Sequence, residues 1–247
     1  MLFRSLLLAD RPSKIQLEGG THNPFAPPFP FIEQAFLPLL RRIGFHADAT
    51  LTQPGFYPNG GGRCQVSVQP AHQLQPLHLE KLNRTQKSGI QLFAEVCLVG
   101  LPQNVAEREL KVIQQRLGIP PDNCSVNRCD SAIGPGNTVH VRATWGEQSE
   151  VFTGFGAPKI SAESVAEESV KQAEQFLQSG AVVGEHLADQ LLLPLALARG
   201  GSFVTTQPSE HTRTNARIIR EFLETDIGIH SEESGRWIVE VEGRKTS

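Results

Sequence analysis

The chain lacks the charge signature of a general polyanion binder. Its 247 residues carry 23 Lys and Arg against 26 Asp and Glu, a formal net charge of −3. A protein that coats nucleic acid over a broad face shows a basic excess instead. The balance is compatible with a site that grips only a strand end, which needs few phosphate contacts. No stretch approaches the roughly 20 apolar residues that span a bilayer. The opening run Met1-Leu2-Phe3-Arg4-Ser5-Leu6-Leu7-Leu8-Ala9 is apolar but short, is broken by Arg4, and lacks the basic start of a secretory signal. The cysteines Cys64, Cys97, Cys124 and Cys129 match no zinc spacing, because Cys124 and Cys129 have no second pair. They read as reduced, partly buried thiols of a cytoplasmic protein. No Gly-Lys-Ser/Thr follows the run Gly60-Gly61-Gly62, so this is not a P-loop.

What is present is a globular composition, 39% hydrophobic, in a chain long enough for one large domain or two ordinary ones. Leu2 to Ala9 reads as the last turns of an amphipathic helix stopped at Asp10-Arg11-Pro12-Ser13, as if the chain began inside a domain. Alternation predicts a strand from Lys14 to Leu17, followed by a loop dense in Gly and Pro from Gly19 to Pro30. Apolar spacing predicts a helix from Phe31, kinked at Pro38 and stopped by Gly44. Strands are expected at Ala47 to Leu51 and Cys64 to Gln69, with the turn Tyr57-Pro58-Asn59-Gly60-Gly61-Gly62 between them. Asn-Gly is a turn signal, but three consecutive glycines exceed what a two-residue turn needs and leave room for a backbone surface facing a site.

The texture changes near Leu82. A long strand from Ile90 to Val99, a helix from Val105 to Leu117 capped by Gly118, strands at Val139 to Thr144 and Val151 to Phe155, and a helix running from the N-cap Ser161 to Gln178 are expected. After Gly180 come a helix from Leu187 to Ala198, apolar nearly all round and therefore buried, a strand from Ser202 to Thr206, a helix from Thr214 to Glu224 and a closing strand from Trp237 to Val241.

Chemistry-bearing residues concentrate in two late segments. Gly184-Glu185-His186-Leu187-Ala188-Asp189-Gln190 reads as a helix start carrying an acid and an amide. Asp189 stands among Leu187, Leu191 and Leu192, so it is expected to be partly buried and to need a partner. Gln207-Pro208-Ser209-Glu210-His211 reads as a strand end delivering His211 to a turn just ahead of a helix, a place that suits an anion. Arg213 and Arg217 beside it are candidates for phosphate binding, whereas Arg41 and Arg42 complete a helix C-terminus.

Those two segments, together with Gly19-Gly20-Thr21-His22-Asn23-Pro24-Phe25-Ala26-Pro27-Pro28 and the Tyr57 loop, resemble the RNA 3'-terminal phosphate cyclases, in order and from about Leu6 to about Val241. The resemblance implies an α+β fold: a main domain (residues 1–82 and 178–247) of repeated βα split modules of βαβαββ type, with a smaller inserted α/β domain (83–177). Relative to that family about a hundred residues, a large part of a typical domain, are missing upstream, including a Gly-rich segment with acid and Arg residues that serves the ATP and phosphate site. The resemblance further implies that His211 attacks the α-phosphate of ATP and carries AMP. It places His186, Leu187, Ala188, Asp189 and Gln190 along the bound ATP, and packs Pro27 and Phe31 against the adenosine. Asp189 is left to orient His211, contact the ribose or help place a metal. His186 stands where relatives often have tyrosine, and Phe29-Pro30 replaces a polar pair. ATP, a divalent metal (magnesium or manganese, with no ligand assigned) and RNA with a 3'-phosphate are the implied cofactors and partner. Relatives that keep the fold without the nucleophile make a non-catalytic RNA-binding or assembly protein the alternative, with an inactive truncated fragment as a third.

Overall fold

The computed structural model describes residues 10–71, 73–80, 89–129, 132–232 and 235–243. The helix expected over Leu2 to Ala9, and the expected domain boundary between residues 82 and 83, lie outside them. The architecture is mixed α/β, with three separate sheets, compatible with the α+β expectation.

The first sheet has the order β1-β3-β2, from β1 (Ser13–Gly19), β2 (Ala47–Gln53) and β3 (Gly62–Val68), all antiparallel. A helical run connects β1 to β2. It is α-helical at Phe29–Phe31, π-helical at Ile32–Phe36, and α-helical again in α1 (Leu37–Ile43). The sequence predicts a kink at Pro38, and the π stretch stands in its place. Leu37 N–H reaches back to Ile32 O, and this wider turn accommodates a proline that lacks an N–H and would clash one turn back. Gly44 stops α1 at φ 103°, and a side chain there would lie 2.3 Å from the Gln73 carbonyl oxygen.

A second sheet has the order β10-β11-β9-β4, from β4 (Leu77–Leu79), β9 (Gly200–Thr205), β10 (Ile227–Ser231) and β11 (Trp237–Glu242). Only the β4–β9 pair is parallel. Short strands such as β4 and β10 escape alternation analysis, since three to five residues hold too little period. The third sheet, β6-β5-β7-β8, is made of β5 (Gln91–Val99), β6 (Cys124–Arg128), β7 (Gly136–Trp145) and β8 (Gln148–Phe155). It carries α2 (Gln103–Leu117) and α3 (Ala162–Ser179), and α3 continues past the expected edge at residue 177.

Two large apolar cores result. The main one joins the first two sheets through α4 (Glu185–Leu197), where Leu187, Leu191, Leu192 and Leu195 are fully buried, and α5 (Glu210–Leu223). The smaller lies between the third sheet and α2 and α3, around Val96, Ile113, Val141 and Val170. Strand β8 is the seam, with Val151 packed into the main core and Phe152 into the smaller. Among the described residues no helix is long and apolar enough to cross a membrane.

Candidate functional site

A cleft of about 1470 Å³ opens where the units meet, lined from the loop after β1, the Tyr57 loop, the third sheet and the N-termini of α3, α4 and α5. The loop after β1 and the Tyr57 loop are held together by glycines that let three backbone segments touch. A Cβ on Gly55 would stand 2.2 Å from the Gly62 nitrogen and 2.7 Å from the Gly19 oxygen. This close approach is why Gly occurs on both strands leaving β1 and entering β3. Thr21 Oγ1 accepts the Gly55 N–H at 2.9 Å, and the Thr21 and His22 amides both donate to Gly55 O at 2.9 Å. The loop then turns on Asn23, whose Oδ1 accepts the Phe25 N–H at 3.0 Å. Pro27 and Phe31 both reach the cleft. Phe31 is buried and meets the exposed His186 ring edge-on at 6.4 Å. Phe25 and Tyr57, both exposed, form an edge-on pair at 5.6 Å on the same cleft.

The two late segments converge there. His186, Asp189 and Gln190 line the cleft, on one face of the first turns of α4. Leu187 and Ala188 do not: both are fully buried in the main core, the opposite side of the same turn. Asp189 has the partners its setting demands, accepting from Asn215 Nδ2 at 2.5 Å and from Gln190 Nε2 at 3.1 Å. It therefore ties α4 to α5. His211 also lines the cleft and is exposed. The sequence reading put it in a turn before a helix at Thr214. Instead α5 starts at Glu210, because Ser209 is the N-cap and accepts the Thr212 N–H at 3.3 Å. His211 is thus the second residue of the helix. Arg213 turns away from the cleft, its guanidinium 5.0 Å over the Trp237 ring. Arg217 is exposed and does not border the cleft. Arg41 bonds Asp48 at 2.7 Å at the end of α1.

Several groups were not singled out from the sequence. His22, on the cleft, is 3% exposed, and burial pushes its pKa down to about 4. Behind it His140 is buried between Thr138 Oγ1 and Thr153 Oγ1, at 3.1 and 3.0 Å, and burial lowers it to about 3. Glu150 on β8 is buried and accepts the Gly184 N–H at 2.8 Å, at the N-terminus of α4. Burial raises its pKa to about 8. Glu109 on α2 is buried against Asn137, whose Nδ2 donates to it at 2.5 Å, and burial raises it to about 7. Arg108 is the one Lys or Arg among the described cleft-lining residues, and Glu163 engages it through two bonds at 2.6 and 2.7 Å. A His following Gly-Gly-Thr and a Glu on a strand were visible as residues, but nothing local says that their side chains are buried.

Three separate sheets, two cores bridged by β8 and one common cleft define the class, an α+β protein with polar groups gathered at the junction of its cores. A family model described as RNA 3'-terminal phosphate cyclase matches residues 1–229. The chain belongs to that family. It is 46% identical over 226 residues to the RNA 3'-terminal phosphate cyclase of Ectopseudomonas mendocina (strain ymp), covering 92% of this chain and 65% of that one. To the protein of the same description from Pseudomonas fluorescens the identity is 45%, with the same coverage. To that from Koribacter versatilis it is 42% over 233 residues, 94% of this chain and 64% of that one. The chain therefore spans just under two thirds of the length of these relatives.

Proposed function

We propose that this chain serves the ATP-dependent conversion of an RNA 3'-terminal phosphate to a 2',3'-cyclic phosphate in the cytoplasm. One observation supports the reading above others: His211 opens on the same cleft as His186, Asp189, Gln190, Pro27 and Phe31, although these residues come from three separate parts of the chain. The neutral imidazole of His211 attacks the α-phosphorus of ATP. An N–P bond forms, the bond to pyrophosphate breaks, and the ring sheds its other proton to solvent. The RNA 3'-phosphate oxygen then displaces the imidazole and takes the AMP. Finally the vicinal 2'-hydroxyl attacks that 3'-phosphorus, expelling AMP and closing the cyclic ester. The position of His211 at a helix N-terminus favours negative charge on the groups it exchanges. Phe31 and Pro27 offer an apolar wall to the adenine, and His186 stands edge-on to Phe31 as a second ring.

Among the described residues no group of three or more His, Cys, Asp or Glu forms a cage for a metal ion. Magnesium or manganese would enter with the triphosphate, because such ions keep phosphate and water oxygens as ligands. The metal would offset charge on the phosphates. In the same reading β4-α4-β9-α5-β10-β11 is one βαβαββ module with the small domain inserted after β4, and β1-α1-β2-β3 is the latter part of another.

The test is covalent labelling. The chain is incubated with ATP labelled at the α-phosphate and magnesium, denatured, and assayed for acid-labile label. The parent is expected to retain label and His211→Ala to retain none. A folded parent without label would sink the catalytic reading and favour the non-catalytic RNA-binding one.

A further inference from the structure

Among the described residues the cleft has a single Lys or Arg, Arg108, although the ligands proposed for it are polyanionic. Arg108 is neutralised by Glu163, and Arg213 lies over Trp237. The cleft is also lined by the N-termini of α3, α4 and α5, at Ser161, Glu185 and Ser209. It also has one buried ring that is only half satisfied. His22 is stacked on Phe56 at a centroid distance of 4.8 Å, and its Nδ1 lies 2.9 Å from Thr21 Oγ1. Among the described residues its Nε2 has no hydrogen-bond partner, yet that atom is not sealed from solvent, and the opening that His22 borders is the cleft.

The tautomer follows from Thr21. Its Oγ1 already accepts the Gly55 N–H at 2.9 Å. Its own proton has two acceptors to choose from, His22 Nδ1 at 2.9 Å and Gly55 O at 3.4 Å. Gly55 O already accepts the Thr21 and His22 amides at 2.9 Å, which fills both its lone pairs, so the Thr21 proton goes to Nδ1. Nδ1 is then an acceptor, and the proton of the neutral ring stands on Nε2. Burial keeps the ring uncharged, since its pKa falls to about 4.

We infer that His22 Nε2–H is a fixed, uncharged donor to a phosphoryl oxygen bound in the cleft. The inference rests on the reading that the cleft takes ATP and a phosphorylated RNA end. Either ligand supplies the same oxygen, and the experiment tells them apart. A donor to a charged phosphoryl oxygen contributes about tenfold to a hundredfold in affinity.

The probes are ATP with magnesium, and one RNA oligonucleotide ending in either a 3'-phosphate or a 3'-hydroxyl, titrated by calorimetry against four proteins. These are the parent, His22→Phe, which keeps the stack on Phe56; His22→Asn, whose amide reaches only to the Nδ1 position; and His22→Gln, whose amide reaches to Nε2. Phe and Asn variants are expected to lose tenfold or more, and the Gln variant to stay within about threefold of the parent. A loss confined to ATP assigns the donor to the nucleotide. A loss confined to the 3'-phosphate RNA, absent with the 3'-hydroxyl, assigns it to the RNA end. Folded Phe and Asn variants that bind both ligands as the parent does overturn the inference and leave the functional reading intact. A parent that binds neither ligand overturns both. Should the variants fail to fold, nitrogen-15 spectra of the histidine-labelled parent decide the matter: the Nε2–H tautomer, shifted on adding ligand, is expected, and the Nδ1–H tautomer overturns the inference.

Discussion

The two cores bury different things. The main one is apolar but for hydroxyls such as Thr205 and Thr212, and is built on Leu39, Leu187, Leu191, Leu192 and Leu195, all fully buried. The smaller unit packs Val96, Val139, Val141 and Ile113 just as tightly, but it also hides Glu109, Glu150, Asn137 and His140. Burying an ionisable group without a charged partner is expensive, so it becomes neutral instead. Glu150 and Glu109 do so by holding protons, and His140 by losing one. The contrast teaches a division of labour. The main unit supplies a rigid mount for His211 and Asp189, and the smaller one places buried titratable groups behind His22 and at the start of α4.

The largest expected effect tests whether the two cores are energetically separate. Leu191→Ala in the main core and Ile113→Ala in the smaller should each cost about 2–5 kcal/mol, by lost transfer energy and a residual cavity. In denaturant, distinct cores give two transitions, each variant lowering its own. If both variants lower one common midpoint, the shared strand β8 makes them a single cooperative unit, and the comparison holds only for chemistry.

Next is pH. In the folded state His22 and His140 titrate near 4 and 3, against 6.5 for an ordinary His. Glu109 and Glu150 titrate near 7 and 8, against 4.5. From about pH 4.5 to 6.5 the unfolded chain holds protons on both histidines and the folded chain holds them on both glutamates, so the difference cancels and stability is flat. Above 6.5 only the folded glutamates still hold protons. Stability then falls as pH rises, by about 2–3 kcal/mol up to pH 8. Below 4.5 the unfolded chain takes up more protons, and stability falls again with acid. Urea midpoints across this range check the plateau, and Glu150→Gln should shorten the alkaline fall. A rise from pH 5 to about 6.5 that levels off above it would show that the buried carboxyls are ionised.

A smaller effect isolates the joint between the units. Glu150→Leu leaves the Gly184 N–H unpaired at the start of α4 and should cost about 1–3 kcal/mol. Glu150→Gln keeps an acceptor and should cost less than about 1 kcal/mol. Equal costs would mean that the Gly184 bond contributes nothing and that packing alone joins β8 to α4.

Much of this was legible in the sequence, and the failures have local causes. The long elements carry many periods, so α2, α3, β5 and β7 stand where apolar spacing puts them. The left-handed stops at Gly44 and Gly118 need only one residue to be read. The start of α5 was missed by four residues, although Ser209 followed by Glu210 is an N-cap and an acidic first turn. The cleft-lining set splits along α4 because helical phase, not sequence neighbourhood, decides it: His186, Asp189 and Gln190 face out, and Leu187 and Ala188 face the core. His22, Glu109 and Glu150 are invisible locally, since their burial comes from segments that meet only in the folded chain.

The least disruptive change separates two side chains of one helix. Arg213 follows His211 by two residues, about 200° further round α5, and it lies over Trp237 of the second sheet. Its place beside His211 in the sequence made it a candidate for phosphate binding; its position over Trp237 makes it part of the main unit's outer surface. Arg213→Ala should therefore cost about 0.5–1 kcal/mol of stability, as expected for an exposed cation over an indole, and leave adenylylate labelling within about twofold of the parent. Labelling and thermal midpoints measured on the same preparations decide between the two roles. A tenfold loss of labelling with an unchanged midpoint would mean that the side chain leaves Trp237 for the cleft when nucleotide binds. Arg213 would then be a second cation at the cleft once nucleotide binds.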